Sequence, residues 1–166
     1  MVKLKTIISK SPHITQKLGQ RIGKFILSHK YPLKTALVVA IEGELGAGKT
    51  VFAKGFARGI GLKEIIKSPT FILMHPYRVS NSFFKTFYHL DVYRLSNEKD
   101  LKPLKFGKIL ENPLNLILIE WSERVKRILP KKRINIHIDH VNKNARKFVV
   151  EFGAYDLERK ILNFKF

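Results

Sequence analysis

The sequence predicts a mixed α/β sheet with helices on its faces and a C-terminal antiparallel hairpin. Three observations carry that expectation. ALVVAIEG (36–43) is a continuous aliphatic run that passes through glycines into a helical pattern, and NLILIEW (115–121) is a second such run. Continuous runs of this kind suit strands buried on both faces, whereas half-exposed strands alternate. INIHIDHV (134–141) and ARKFVVEF (145–152) do alternate, around Asn142-Lys143-Asn144, as an antiparallel hairpin would. A strand–helix unit combined with hairpins predicts a mixed sheet, and 166 residues with no divider predict one domain over 1–166.

The remaining elements follow in order. KLKTII (3–8) reads as a short edge strand. Between His13 and Lys30 the apolar positions Ile14, Leu18, Ile22, Phe25 and Ile26 recur at helical spacing, which predicts an amphipathic helix. Thr50 to Ile60 reads as a second helix, ended by Gly59 and Gly61. FILMHPYRV (71–79) and FFKTFYHLDVYRL (83–95) read as two strands joined by a turn at VSNS (79–82). Asn97 to Leu110 is charged and weakly helical.

Composition narrows the function classes. The chain has no cysteine, which rules out disulfides and thiolate metal sites and suits a reducing cytoplasm. Its longest apolar runs, ALVVAI and LILI, fall well short of the roughly 20 residues that span a bilayer, so no membrane role is expected. MVKLKTIISKSP lacks the apolar stretch and cleavage site of a secretory signal. The expectation is a soluble cytoplasmic protein. Lys and Arg number 32 against 13 Asp and Glu, a net charge of +19, which favours salt-sensitive contact with polyanions. The basic residues are scattered, apart from short clusters such as RVKRILPKKR (124–133), and no aromatic-interleaved motif stands among them.

The strongest chemical signal is GELGAGKT (43–50), which matches G-x-x-x-x-G-K-[ST] at every fixed position, between a strand and a helix. Gly43, Gly46 and Gly48 permit backbone angles that let successive N–H groups converge on phosphate oxygens. The backbone from Gly43 through Glu44, Leu45, Gly46, Ala47 and Gly48 to Lys49 and Thr50 is therefore the expected nucleotide-binding segment. The helix that follows adds its positive end, Lys49 reaches the outer phosphates, and the Thr50 hydroxyl offers a ligand to Mg²⁺. The fold expectation thereby sharpens to a P-loop NTPase-like sheet. Two acids are placed to complete a metal and water site: Glu120 at the end of NLILIE and Asp91 in YHLDVYRL. Glu120 is the better placed, because ligands gather at the carboxyl ends of open sheets. KSPTF (67–71) offers Ser68 and Thr70 as a phosphate-sensing loop.

GELGAGKT, SPTF (68–71), HLDVYRL (89–95) and IEWSER (119–124), with TQKLG (15–19) ahead of them, occur together in the order of one family. The sequence resembles the TsaE family, also called YjeE. The resemblance implies a small ATPase that assists threonylcarbamoylation of the adenosine beside the anticodon of certain tRNAs. It would act with TsaB- and TsaD-like partners, using ATP to reset their complex, and would meet tRNA through that complex. It further implies that Leu45 to Thr50 wrap the phosphates, that Thr50 and Glu120 ligate Mg²⁺, and that Asp91 serves hydrolysis; Lys49 and Glu120 join Asp91 as catalytic candidates. Trp121, beside Glu120, is implied to matter functionally. The chain departs from the family pattern after Leu95, where SNEKDLKPLKFGKILENP is net basic and carries Pro103.

Three other readings fit the sequence less well. A GTPase would need an Asn-Lys-x-Asp element, but VNKNA (141–145) has Ala145 in the acid's place. A small-molecule kinase would need an arginine-bearing lid, and no such insertion is evident. A purely nucleic-acid-binding module would explain the charge and leave the loop and the acids unexplained.

Overall fold

A computed structural model describes residues 4–28, 33–67, 69, 72–80 and 82–153. Its core is a seven-stranded sheet in the order β1-β7-β6-β2-β5-β4-β3, with β1 Leu4–Ser9, β2 Leu37–Glu42, β3 Met74–Arg78, β4 Thr86–Asp91, β5 Asn115–Glu120, β6 Ile134–His140 and β7 Arg146–Glu151. β6, β2, β5 and β4 run parallel, and antiparallel partners flank them: β7 and then β1 on one side, β3 on the other. The two aliphatic runs take the middle of the sheet, and Leu37 to Ile41 and Leu116 to Ile119 are all buried. The expected mixed sheet with a C-terminal antiparallel hairpin is the architecture found.

Alternate residues of the central strands feed two cores. Leu37, Val39, Ile41, Leu116 and Leu118 face α1 (Pro12–Leu27) and α2 (Lys49–Gly59). Val38, Ala40, Ile117 and Ile119 face the other layer, built from 3-10 turns at Glu98–Leu104 and Ser122–Ile128 and from α3, Phe106–Glu111. α1 begins where the Ser11 side chain accepts the Ile14 N–H at 3.2 Å and Pro12 takes the first turn, the positions where a hydroxyl cap and a proline suit a helix. α1 and α2 meet through glycines. A Cβ at Gly19 would lie 2.2 Å from the Phe52 carbonyl oxygen, one at Gly55 1.9 Å from that of Gln16, and one at Gly59 2.2 Å from that of Gln20. The two backbones therefore touch with no side chain between them.

The structure trims several expected elements. The strands read at 71–79 and 83–95 contract to β3 and β4. Val92 turns its N–H to the Glu120 carbonyl at 3.2 Å and the chain leaves the sheet. β5 stops at Glu120, because Trp121 adopts φ 63°. The weak helix read at 97–110 divides into a 3-10 turn carrying Pro103 and the short α3. Among the described residues, no helix is long and apolar enough to cross a membrane.

Candidate functional site

The three parallel strands β2, β5 and β4 end together, and the loop after β2 bends over that end. Gly43, Gly46 and Gly48 have φ of 144°, 76° and 101°, left-handed values that side chains resist. At Gly43 space alone forbids a side chain, since a Cβ would lie 2.5 Å from the Ile138 carbonyl oxygen. Gly48 is the N-cap of α2 and makes no side-chain cap bond, so no cap side chain satisfies the first N–H groups of that helix.

Lys49 is 4% exposed. Its Nζ donates to the Glu44 carbonyl at 2.8 Å and to the Gly43 carbonyl, and lies 3.5 Å from the centre of the Trp121 ring. Burial lowers the Lys49 pKa below the usual lysine range, while the carboxylates of Glu120, Glu123 and Asp91 work against that shift. The Thr50 hydroxyl donates to Glu120 Oε2 at 2.8 Å. Asp91 and Glu120 are direct partners in the β4–β5 register, so the two acids end adjacent strands. Asp91 Oδ1 accepts the Tyr93 N–H at 3.1 Å. The sequence candidates Lys49, Thr50, Asp91 and Glu120 thus meet around one cleft of 420 Å³, with Leu45, Gly46 and Gly48 in its wall. Ser68 and Thr70 lie outside the described residues.

A larger cleft of 760 Å³ opens on the other flank of Gly43 and Glu44. Its walls carry Glu42, Glu44, Glu123 and Asp139 beside His137, His140 and Lys147. That concentration of carboxylates would repel a polyphosphate, and the smaller cleft carries fewer of them. Burial pushes the Glu123 carboxyl up, a backbone hydrogen bond opposes it, and Glu42 pushes it further. A carboxyl harder to ionise in the folded chain makes stability fall as pH rises from the usual value, 4.5, through the raised one, and stay level beyond. The expected result is that Glu123→Gln matches the wild type in urea midpoint at about pH 4 and exceeds it slightly at about pH 7. A gap that does not widen with pH would contradict the assignment.

Residues that sequence reasoning left without a role also build the site. Arg146 donates to the Gly46 carbonyl at 3.2 Å and His140 Nε2 lies 3.2 Å from the Leu45 carbonyl, so the β6–β7 hairpin grips the loop from outside. Nothing local in the sequence marks that grip, which joins positions far apart in the chain. Tyr93 packs on Trp121 with ring centres 4.9 Å apart, and the Arg124 guanidinium lies 5.5 Å from the Tyr93 ring while donating to the Leu95 carbonyl at 3.0 Å.

The family profile described as threonylcarbamoyl adenosine biosynthesis protein TsaE matches residues 9–148. The chain belongs to the TsaE family. Among TsaE relatives, the tRNA threonylcarbamoyladenosine biosynthesis protein TsaE of Haemophilus influenzae is 35% identical over 124 residues, covering 75% of each chain. The protein of the same name from Treponema pallidum is 34% identical over 143 residues, covering 86% of this chain and 97% of its own. The crystal structure of Bacillus subtilis YdiB superposes with a TM-score of 0.71 at 27% identity, over 92% of this chain and 88% of that one. The TsaE match spans the loop, both acids and the hairpin residues that hold the loop.

Proposed function

We propose that this chain binds Mg²⁺-ATP in the cleft over β2, β5 and β4, hydrolyses it slowly, and serves tRNA threonylcarbamoyladenosine formation by resetting a TsaB–TsaD-like partner pair. The observation that carries the nucleotide reading is the convergence of a three-glycine loop, the Lys49 ammonium and the Thr50–Glu120 pair on one side of the sheet. The pathway reading rests on family membership and the names of the relatives.

The donor set fits magnesium. A hydroxyl and a carboxylate 2.8 Å apart are hard oxygen donors, and Mg²⁺ commonly takes one or two such ligands and fills the rest of its shell with water and substrate phosphates. Among the described residues no cluster of three or more His, Cys, Asp or Glu could hold a metal, so the phosphates and water must supply the remaining ligands. When bound, the ion neutralises charge on the phosphate oxygens. Lys49 supplies a further positive charge at the same end, and the loop amides orient the chain of phosphates. Asp91, the register partner of Glu120, would orient water for attack. A notch of 80 Å³ between Pro12, Thr15, Asn144 and Arg146 shares Gly46, Gly48 and Val51 with the main cleft, and offers the base a place beside the loop. Arg124, which follows Glu120 within IEWSER, is engaged with Leu95 and Tyr93. Without an arginine finger, P-loop enzymes turn over slowly until a partner completes the site.

Titration with fluorescent ATP and GTP, with and without Mg²⁺, tests this reading. Wild type should prefer ATP and bind it more tightly with Mg²⁺, and Thr50→Val should lose the metal's contribution while keeping metal-free binding. Hydrolysis should be slow alone and change when TsaB- and TsaD-like partners are added. Equal binding of both nucleotides, or fast turnover by the isolated chain, would count against it.

A further inference from the structure

Glu120 is held from both sides. Oε2 accepts the Thr50 hydroxyl at 2.8 Å, and Oε1 lies 2.8 Å from His89 Nε2. His89 is 0% exposed and Glu120 1%. The β4–β5 register pairs His89 with Leu118 and Asp91 with Glu120. His89 therefore stands one same-face step behind the two acids, on the core side of the site, because successive side chains alternate across a strand. Its neighbour on that face is Phe87, whose ring lies nearly parallel to the imidazole at 11°, with centres 6.4 Å apart.

A buried histidine is more often a satisfied core residue than a working one, and two observations point the other way here. The surroundings are apolar on the core side, where Phe87 packs on Phe56, so a phenylalanine or leucine would fit at lower desolvation cost. The imidazole also has a single polar contact among the described residues: Nδ1 is buried without a hydrogen-bond partner, and Nε2 meets only Glu120. A histidine kept for general polar bonding would use both nitrogens. For Glu120 to accept here, as a metal-ligating carboxylate would, the hydrogen has to sit on Nε2 and point at Oε1.

We propose that His89 is a positioning residue: its Nε2–H fixes the rotamer of Glu120 so that the second carboxylate oxygen is presented to Thr50 and to the metal side of the cleft. This inference rests on the nucleotide reading above. It parallels the way hydrogen bonds behind a metal-ligating side chain set its direction.

Two variants of the full-length chain and one spectrum test it. His89→Phe keeps an aromatic ring, somewhat larger than the imidazole, and removes the donor, while His89→Gln keeps an N–H donor. The Mg²⁺ concentration that half-saturates the tightening of fluorescent ATP binding should rise on the order of tenfold in His89→Phe, with metal-free binding changed by less than about twofold. His89→Gln should recover most of the loss. The ¹⁵N NMR spectrum of the nucleotide-free wild type should show the Nε2–H tautomer for His89.

A folded His89→Phe with wild-type Mg²⁺ dependence overturns the proposal, as does a His89→Gln impaired as much as His89→Phe, which would indicate packing alone. If His89→Phe fails to fold, the Gln variant and the spectrum decide, and an Nδ1–H signal overturns the proposal without any nucleotide. A wild type that binds no nucleotide fails the functional reading first, an outcome visible before either variant is compared.

Discussion

Lys49→Ala is expected to weaken the proposed ATP binding on the order of 100-fold, the effect of removing one charged hydrogen-bonding group from a buried polyphosphate site. The side chain is 4% exposed and threads between the Trp121 ring and the carbonyls of Gly43 and Glu44. Its ammonium is thereby placed at the mouth of the loop, where the outer phosphates of a bound triphosphate would lie. Arginine is no substitute, because a planar fork does not fit a slot shaped for a compact point charge. Lys49→Arg is therefore expected to bind nearly as poorly as Lys49→Ala. Calorimetric titration of both variants, with circular dichroism to confirm folding, checks this. Wild-type affinity in either folded variant would contradict the assigned site.

The second large effect concerns stability. Gly55→Val is expected to cost about 3 kcal/mol or more, a large part of the stability of an ordinary domain. A Cβ at Gly55 would lie 1.9 Å from the Gln16 carbonyl oxygen and 2.7 Å from its carbon, and backbone cannot step aside as a flexible side chain can. Gly19 and Gly59 make the same close approach at other points of the seam, so α1 and α2 would have to separate along their length. Gly107 is the control: a Cβ there meets nothing within 4 Å, and Gly107→Ala in α3 should be neutral or stabilising by up to about 1 kcal/mol. Urea unfolding of the two variants side by side decides. A Gly55→Val protein as stable as the wild type would mean that the seam is looser than its geometry states.

Much of this was legible in the residues. ALVVAIEG and NLILIEW are buried on both faces, and that leaves an unbroken aliphatic signature. GELGAGKT was legible because its glycines are required by backbone angle. Asp91 and Glu120 were legible as acids at strand ends; that they are register partners was not, since pairing between β4 and β5 is a property of the whole sheet. The short 3-10 turn at Ser122–Ile128 escaped notice, as it contains the non-helical Val125 and offers no sustained period. The role of His89 within HLDVYRL was not legible, because one histidine among apolar neighbours carries no spacing to interpret. His140 and Arg146 escaped for a different reason: both act on backbone carbonyls, which every residue has.

β1, the first described strand, has the last described one, β7, as its hydrogen-bonded neighbour. On an emerging chain β1 lacks this partner until Glu151, the register mate of Leu4, has appeared. Pairings this distant in sequence slow folding. Shortened chains that stop before Arg146 lack β1's mate and the Gly46 clasp together, so their loop at 43–50 should lose its shape, and with it the proposed nucleotide binding.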